Sequence, residues 1–197
     1  MKSVRKWYGA MILTGAILWV VVGIIFSLRE PGNGNGVYRK THDLIFLLGI
    51  GITLILTSLA HLLWLQRHSS KKLAVTAVIN VLGGLTFLSG GILVAINPGP
   101  FPLILFIGYP ISAAGIILTG VFGRQFKLFS SGVSFTIMAM GIALLFFNDQ
   151  YMPWMASVLG GAAIWLTFRF FFHTHQFRSS HAGAPKETYT MGEVTRQ

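Results

Sequence analysis

The chain has 197 residues, 53% hydrophobic and only 10% charged, with a mean hydropathy of +0.68. A soluble domain carries about 25% charged residues, so this composition excludes a soluble globule and points to an integral membrane protein. The formal net charge is +10, and the absence of cysteine excludes disulfides, thiolate metal centres and a cysteine nucleophile.

A helix that crosses a hydrocarbon core of about 30 Å needs about 20 apolar residues. Six stretches answer to this: residues 8–28, 44–65, 73–96, 103–123, 131–147 and 154–172. The first follows Lys2, Arg5 and Lys6 and opens on Trp7 and Tyr8, rings suited to the headgroup level. It is too long for a cleaved signal, lacks a small-x-small site and continues into Arg29 and Glu30. The glycines and asparagines of residues 32–36 form a turn, because the Lys-Ser/Thr of a phosphate-binding loop does not follow them.

The second stretch carries Thr53, Thr57, Ser58 and His61, and the third carries Thr76 and Asn80. Lipid penalises such groups, so they are expected to face inward and to join spans two and three by hydrogen bonds. In the fourth, Gly108, Ser112, Gly115 and Thr119 recur at close to four-residue spacing, which marks a packing seam, and Tyr109-Pro110 predicts a kink. The fifth is the shortest. In the sixth, Ala156/Gly160 and Ser157/Gly161 mark further seams. Residues 1–177 read as one membrane domain and residues 178–197, poor in large apolar side chains, as a disordered tail. Strands of a membrane barrel would be about 10 residues with alternating polarity, a pattern the chain lacks.

Lysine and arginine set the orientation. Lys2, Arg5 and Lys6, then Arg67, Lys71 and Lys72, then Arg124 and Lys127, then Arg169 and Arg178 fall on one side of six alternating spans, against Arg29, Arg39 and Lys40 on the other. The positive-inside rule places both termini in the cytoplasm. The basic charge thus serves topology and attraction to membrane lipids, and nucleic acid is not expected as a partner.

Gly91-Ile92 precedes the turn Asn97-Pro98-Gly99, Gly141-Ile142 precedes Asn148-Asp149, and Gly23-Ile24 precedes Pro31-Gly32-Asn33. Three helical hairpins of similar pattern follow from this. A six-helix chain of such hairpins resembles the HdeD-like family of short-repeat bacterial membrane proteins, most closely over residues 83–172. The resemblance implies a multi-pass protein of the bacterial inner membrane, associated with acid stress, and supplies no catalytic residues.

The carboxylates Glu30, Asp43, Asp149, Glu187 and Glu193 all lie in loops, at a span edge or in the tail, so no ionisable acid is available for a coupled pump. Ser58 and His61 lie one turn apart without an acidic third member, which argues against a hydrolase. His42 and His61 would stand about 28 Å apart along a helix, too far to share a haem iron. His173, His175 and His181 match no metal-site spacing. No catalytic, cofactor or metal residue is therefore assigned. The reading is a non-enzymatic stress-response or accessory membrane protein, with a second copy of the chain or another membrane protein as partner. The alternative is a passive channel or carrier for a small neutral or apolar solute, using space around His61, Asn80 and Tyr109.

Because the natural chain contains no cysteine, single cysteines report topology without background. Those placed at Asn35, Gly99 and Gln150 are expected to react with a membrane-impermeant thiol reagent from outside the cell, and those at Ser69 and Ser180 only after permeabilisation. The opposite labelling pattern overturns the orientation.

Overall fold

The computed structural model describes residues 2–28, 42–96, 103–147, 152 and 154–181. Its elements are α1 (Lys2–Leu28), α2 (His42–Leu65), a 3-10 turn (Arg67–Ser69), α3 (Lys71–Ile96), α4 (Leu103–Gln125), α5 (Ser131–Leu145) and α6 (Trp154–His181). The glycine, asparagine and proline turns expected around Pro31, Asn97 and Asn148, and residues 182–197 of the tail, lie outside the described residues. α6 itself runs through Arg178 to His181, since no helix breaker interrupts it before Gly183 and Pro185.

The two described connections are short and hydrogen-bonded. Ser70 Oγ accepts the Lys72 N–H at 3.1 Å to open α3. After α4, Lys127 takes a left-handed conformation at φ 54°, and the Leu128 and Phe129 N–H groups both donate to the Gly123 carbonyl, at 2.8 and 3.2 Å. This closure folds the Phe129 ring onto Gly123, where any Cβ would collide with it. Ser130 then caps α5 by accepting from the Val133 N–H.

Contacts run antiparallel from helix to helix. Tyr8 meets His61 and Trp19 meets Leu48 between α1 and α2; Thr53 meets Gly84 between α2 and α3; Phe87 meets Gly108 between α3 and α4. α4 packs on α5, and α6 returns to lie along α1, closing the bundle. The consecutive pair α5 and α6 touches least of all neighbours. α2 is the central helix: 61% of its apolar span is buried, against 33% for α1.

Among the described residues four helices, α1 to α4, are long and apolar enough to cross a membrane, with mean hydropathies between 2.0 and 2.5. Outward-facing Ile17, Val21, Val75, Leu85, Phe106 and Phe135 clothe the bundle in exposed apolar surface that water would not tolerate. The chain is accordingly an all-helical, membrane-embedded protein. α5 is the exception in length. Its 15 residues extend only about 22 Å at 1.5 Å per residue, short of the hydrocarbon core.

Small residues determine how near the helices come. A methyl group on Gly115 would lie 2.6 Å from Asn80 Oδ1, on Gly120 2.7 Å from the Ser134 carbonyl, on Gly141 2.9 Å from the Ala113 carbonyl, and on Gly160 2.6 Å from the Ala16 carbonyl. Gly108 faces the Phe87 backbone at 3.2 Å, and Ser112 packs against Gly83. Ala156 and Ser157 press on Gly23 of α1, with Ser157 Oγ donating to the Val20 carbonyl at 3.1 Å. The expectation for Gly161 requires correction. It is exposed, and a methyl group there would meet no atom within 4 Å, because one residue beyond Gly160 the helix has turned about 100° away from α1.

Replacing Gly115 or Gly160 by leucine is expected to destabilise the folded chain by about 1–3 kcal/mol or to abolish assembly, because backbone would have to move. Gly161→Leu is expected to leave stability unchanged. Unfolding in mixed micelles checks all three, and unaltered stability of Gly115→Leu and Gly160→Leu overturns the seams.

Candidate functional site

Several hydroxyls inside the bundle donate to carbonyls of their own helix. Ser58 Oγ donates to Leu54 O at 2.7 Å, Thr57 to Thr53 O at 2.6 Å and Thr76 to Lys72 O at 2.8 Å. Thr53 donates both to Gly49 O at 2.7 Å and across the interface to Gly84 O at 2.8 Å, tying α2 to α3. Asn80 does not join that interface. It turns to α4, where its Nδ2 donates to Thr119 Oγ1 at 2.8 Å while Thr119 donates to Gly115 O at 2.7 Å. Asn80 Oδ1, Ser112 Oγ and Ser134 Oγ are the buried side-chain oxygens without a partner among the described residues.

His61, Asn80 and Tyr109, the residues expected to surround one space, are in three separate places. Asn80 is fully buried between α3 and α4. Tyr109 packs edge-on against Phe87 at 4.7 Å and lies 6.0 Å from Phe147, towards the opposite end of the bundle from His61. His61 is exposed on the outer surface of α2, its ring stacked on Tyr8 at 4.5 Å. The separation follows from helix geometry: Ser58 and His61 are neighbours in height, yet Ser58 points into the packed interior and His61 away from it. They form no dyad.

The centre of the bundle is apolar. Trp19 anchors one half, donating its indole N–H to Leu48 O at 2.9 Å and lying 5.5 Å from Phe147 and 6.4 Å from Phe87. Towards the basic end follow two small voids of about 20 and 50 Å³, both bounded by Ile55, Ile116 and Met140. The larger reaches Phe129 and Val133 of the α4–α5 region and Thr167 of α6. Thr167 is its one polar lining side chain, and its hydroxyl already donates to Ala163 O at 2.8 Å. No polar atom faces either void, and an apolar void of this size stays dry. The sequence contained a signal for this cluster: Trp19 lies mid-span, away from either interface, where an indole N–H needs a partner inside the protein.

No group of three or more His, Asp or Glu side chains that could hold a metal occurs among the described residues. His173, His175 and His181 fall on the last turns of α6, and their side chains lie outside the described set. A separate groove of about 330 Å³ runs on the outer surface between α2 and α3, with His61 and Trp64 in its wall. The chain matches no protein-family model, no curated protein and no solved structure.

The Asn80–Thr119 hydrogen bond is a buried side-chain to side-chain bond that joins α3 to α4. A double-mutant cycle of Asn80→Ala and Thr119→Val is expected to give a coupling of about 0.6 kcal/mol, and at most about 1.7, as for other hydrogen bonds between membrane helices. A coupling of zero in reversible unfolding refutes a joining role for the pair.

Proposed function

We propose that this chain is a non-enzymatic, six-pass protein of the bacterial inner membrane, with both termini on the cytoplasmic side, that acts as an accessory component in the response to acid stress. One observation carries the non-enzymatic part. The interior is a dry apolar core in which Ser58, Thr76, Thr119 and Thr167 are tied to helix carbonyls, and no ionisable side chain is buried there among the described residues. Acid–base or nucleophilic chemistry needs positioned titratable groups and a route for polar substrate, and the core supplies neither. The acid-stress part and the inner-membrane location rest on the resemblance of the hairpins to the HdeD-like family. Six passes and the orientation rest on the alternation of apolar stretches with basic turns and on the antiparallel contacts.

A second reading, a passive carrier for a small apolar solute, is favoured by the two adjoining voids beside Ile55, Ile116 and Met140. Polar solutes are disfavoured by the same lining.

A strain lacking this chain is expected to survive acid challenge less well than its parent, with survival restored by the complete wild-type chain. Equal survival removes the stress-response role. Proteoliposomes containing the chain are expected to pass glycerol no faster than protein-free vesicles, and rapid glycerol flux contradicts the dry core.

A further inference from the structure

The groove between α2 and α3 joins an apolar slot to a cationic rim. Val78, Val81 and Leu82 of α3 form one wall, and Thr57, His61 and Trp64 of α2 the other. At its open end Arg67 lies with its guanidinium 4.9 Å above the Trp64 ring, while Nη1 donates to the Trp64 carbonyl at 3.2 Å. Lys71, exposed at the start of α3, precedes Val78 by seven residues and Leu82 by eleven, so it heads the stripe that lines the slot. Exposed His68 lies on the turn between them. Lys72 is directed elsewhere, over the Phe122 ring at 5.7 Å.

These cations have no acidic neighbour in sequence: there is no Asp or Glu anywhere from residue 44 to residue 148. Tyr8, stacked on His61, and Trp64, about one helical turn further along α2, are the ring types that sit at the headgroup level. The slot therefore joins largely apolar walls to two cations, Arg67 and Lys71, for which no ion pair with an acid occurs among the described residues. A guanidinium matches a phosphodiester with paired N–H donors, and each cation near a membrane surface attracts anionic lipid by about 1 kcal/mol.

We propose that this groove is a binding site for an anionic phospholipid, one acyl chain lying along Val78 and Leu82 and the phosphate held by Arg67 and Lys71. A zwitterionic lipid brings its own cation to the same rim and binds less well. A second copy of the chain docked face to face would set Arg67 and Lys71 against their own like charges, since a two-fold interface pairs the same patch with itself. The site is independent of the proposed acid-stress role.

Native mass spectrometry of the full chain, titrated with phosphatidylglycerol and phosphatidylcholine of identical acyl chains, tests the assignment. Phosphatidylglycerol is expected to bind about tenfold more tightly, equivalent to about 1.4 kcal/mol. Arg67→Gln with Lys71→Gln should bring it down to the phosphatidylcholine level, while Arg124→Gln with Lys127→Gln, at the neighbouring basic turn, should leave the preference intact. Val78→Trp, at a position 50% exposed and outside the core, should fill the slot and weaken both lipids. Equal affinity for the two lipids, a preference that survives Arg67→Gln with Lys71→Gln, or one lost equally with Arg124→Gln and Lys127→Gln overturns the proposal. So does lipid binding unaffected by Val78→Trp, and a dimer that this substitution dissociates would assign the groove to a second copy instead.

Discussion

The close approach of helix backbones at glycine is the constraint on which the rest of this structure depends. Between helices in lipid there is no hydrophobic gain in meeting, because a neighbouring helix is no more apolar than the acyl chains it displaces. Attraction must come from dispersion over short distances and from the few hydrogen bonds that reach across. Gly15 and Gly51 allow α1 and α2 to touch, Gly83 and Gly115 bring α3 and α4 together, Gly120 and Gly141 do so for α4 and α5, and Gly160 for α6 on α1. At each of these positions even a methyl group would meet backbone or a fixed side chain.

The exception explains the shape of the core. Between α5 and α6 no glycine seam forms: Gly132 of α5 and Gly161 of α6 both have open space beside them. That pair stays loosely joined, α6 takes α1 as its main partner, and the larger void lies where α5, α6 and α1 fail to converge, lined by Val133, Ile137, Ala163 and Ile12. Short α5 follows the same logic, since its main packing partner is α4.

Inside and outside have divided the polar chemistry between them. Most interior hydroxyls and the Asn80 amide N–H bond to the helices, and aromatic rings around Trp19 fill the half away from the basic end. The exterior at the basic end carries exposed His61, Trp64 and Lys71 and half-buried Arg67.

The helical membrane class, the approximate limits of α2 to α5 and the basic end of the bundle are legible in the sequence by itself, because lipid demands long apolar runs with internally satisfied backbone and because cations avoid crossing it, whereas α1 begins six residues before its apolar stretch and α6 runs nine beyond. Spacing of small residues also marked which helix faces pack, at Gly108, Gly115 and Gly160. Which partner each face meets was decided by tertiary structure alone. Asn80 could have bonded to α2 or to α4, and it bonds to Thr119 because Gly115 admits its side chain there. Gly160 packs while Gly161 does not, a matter of one residue's rotation about the helix axis that pair spacing cannot resolve. His61, Asn80 and Tyr109 looked alike as polar groups in apolar spans, yet one faces lipid, one is sealed between helices and one lies in an aromatic cluster. Periodicity along a chain gives the direction of a side chain relative to its own helix, and only the packing of that helix against its neighbours turns that direction into an inside or an outside.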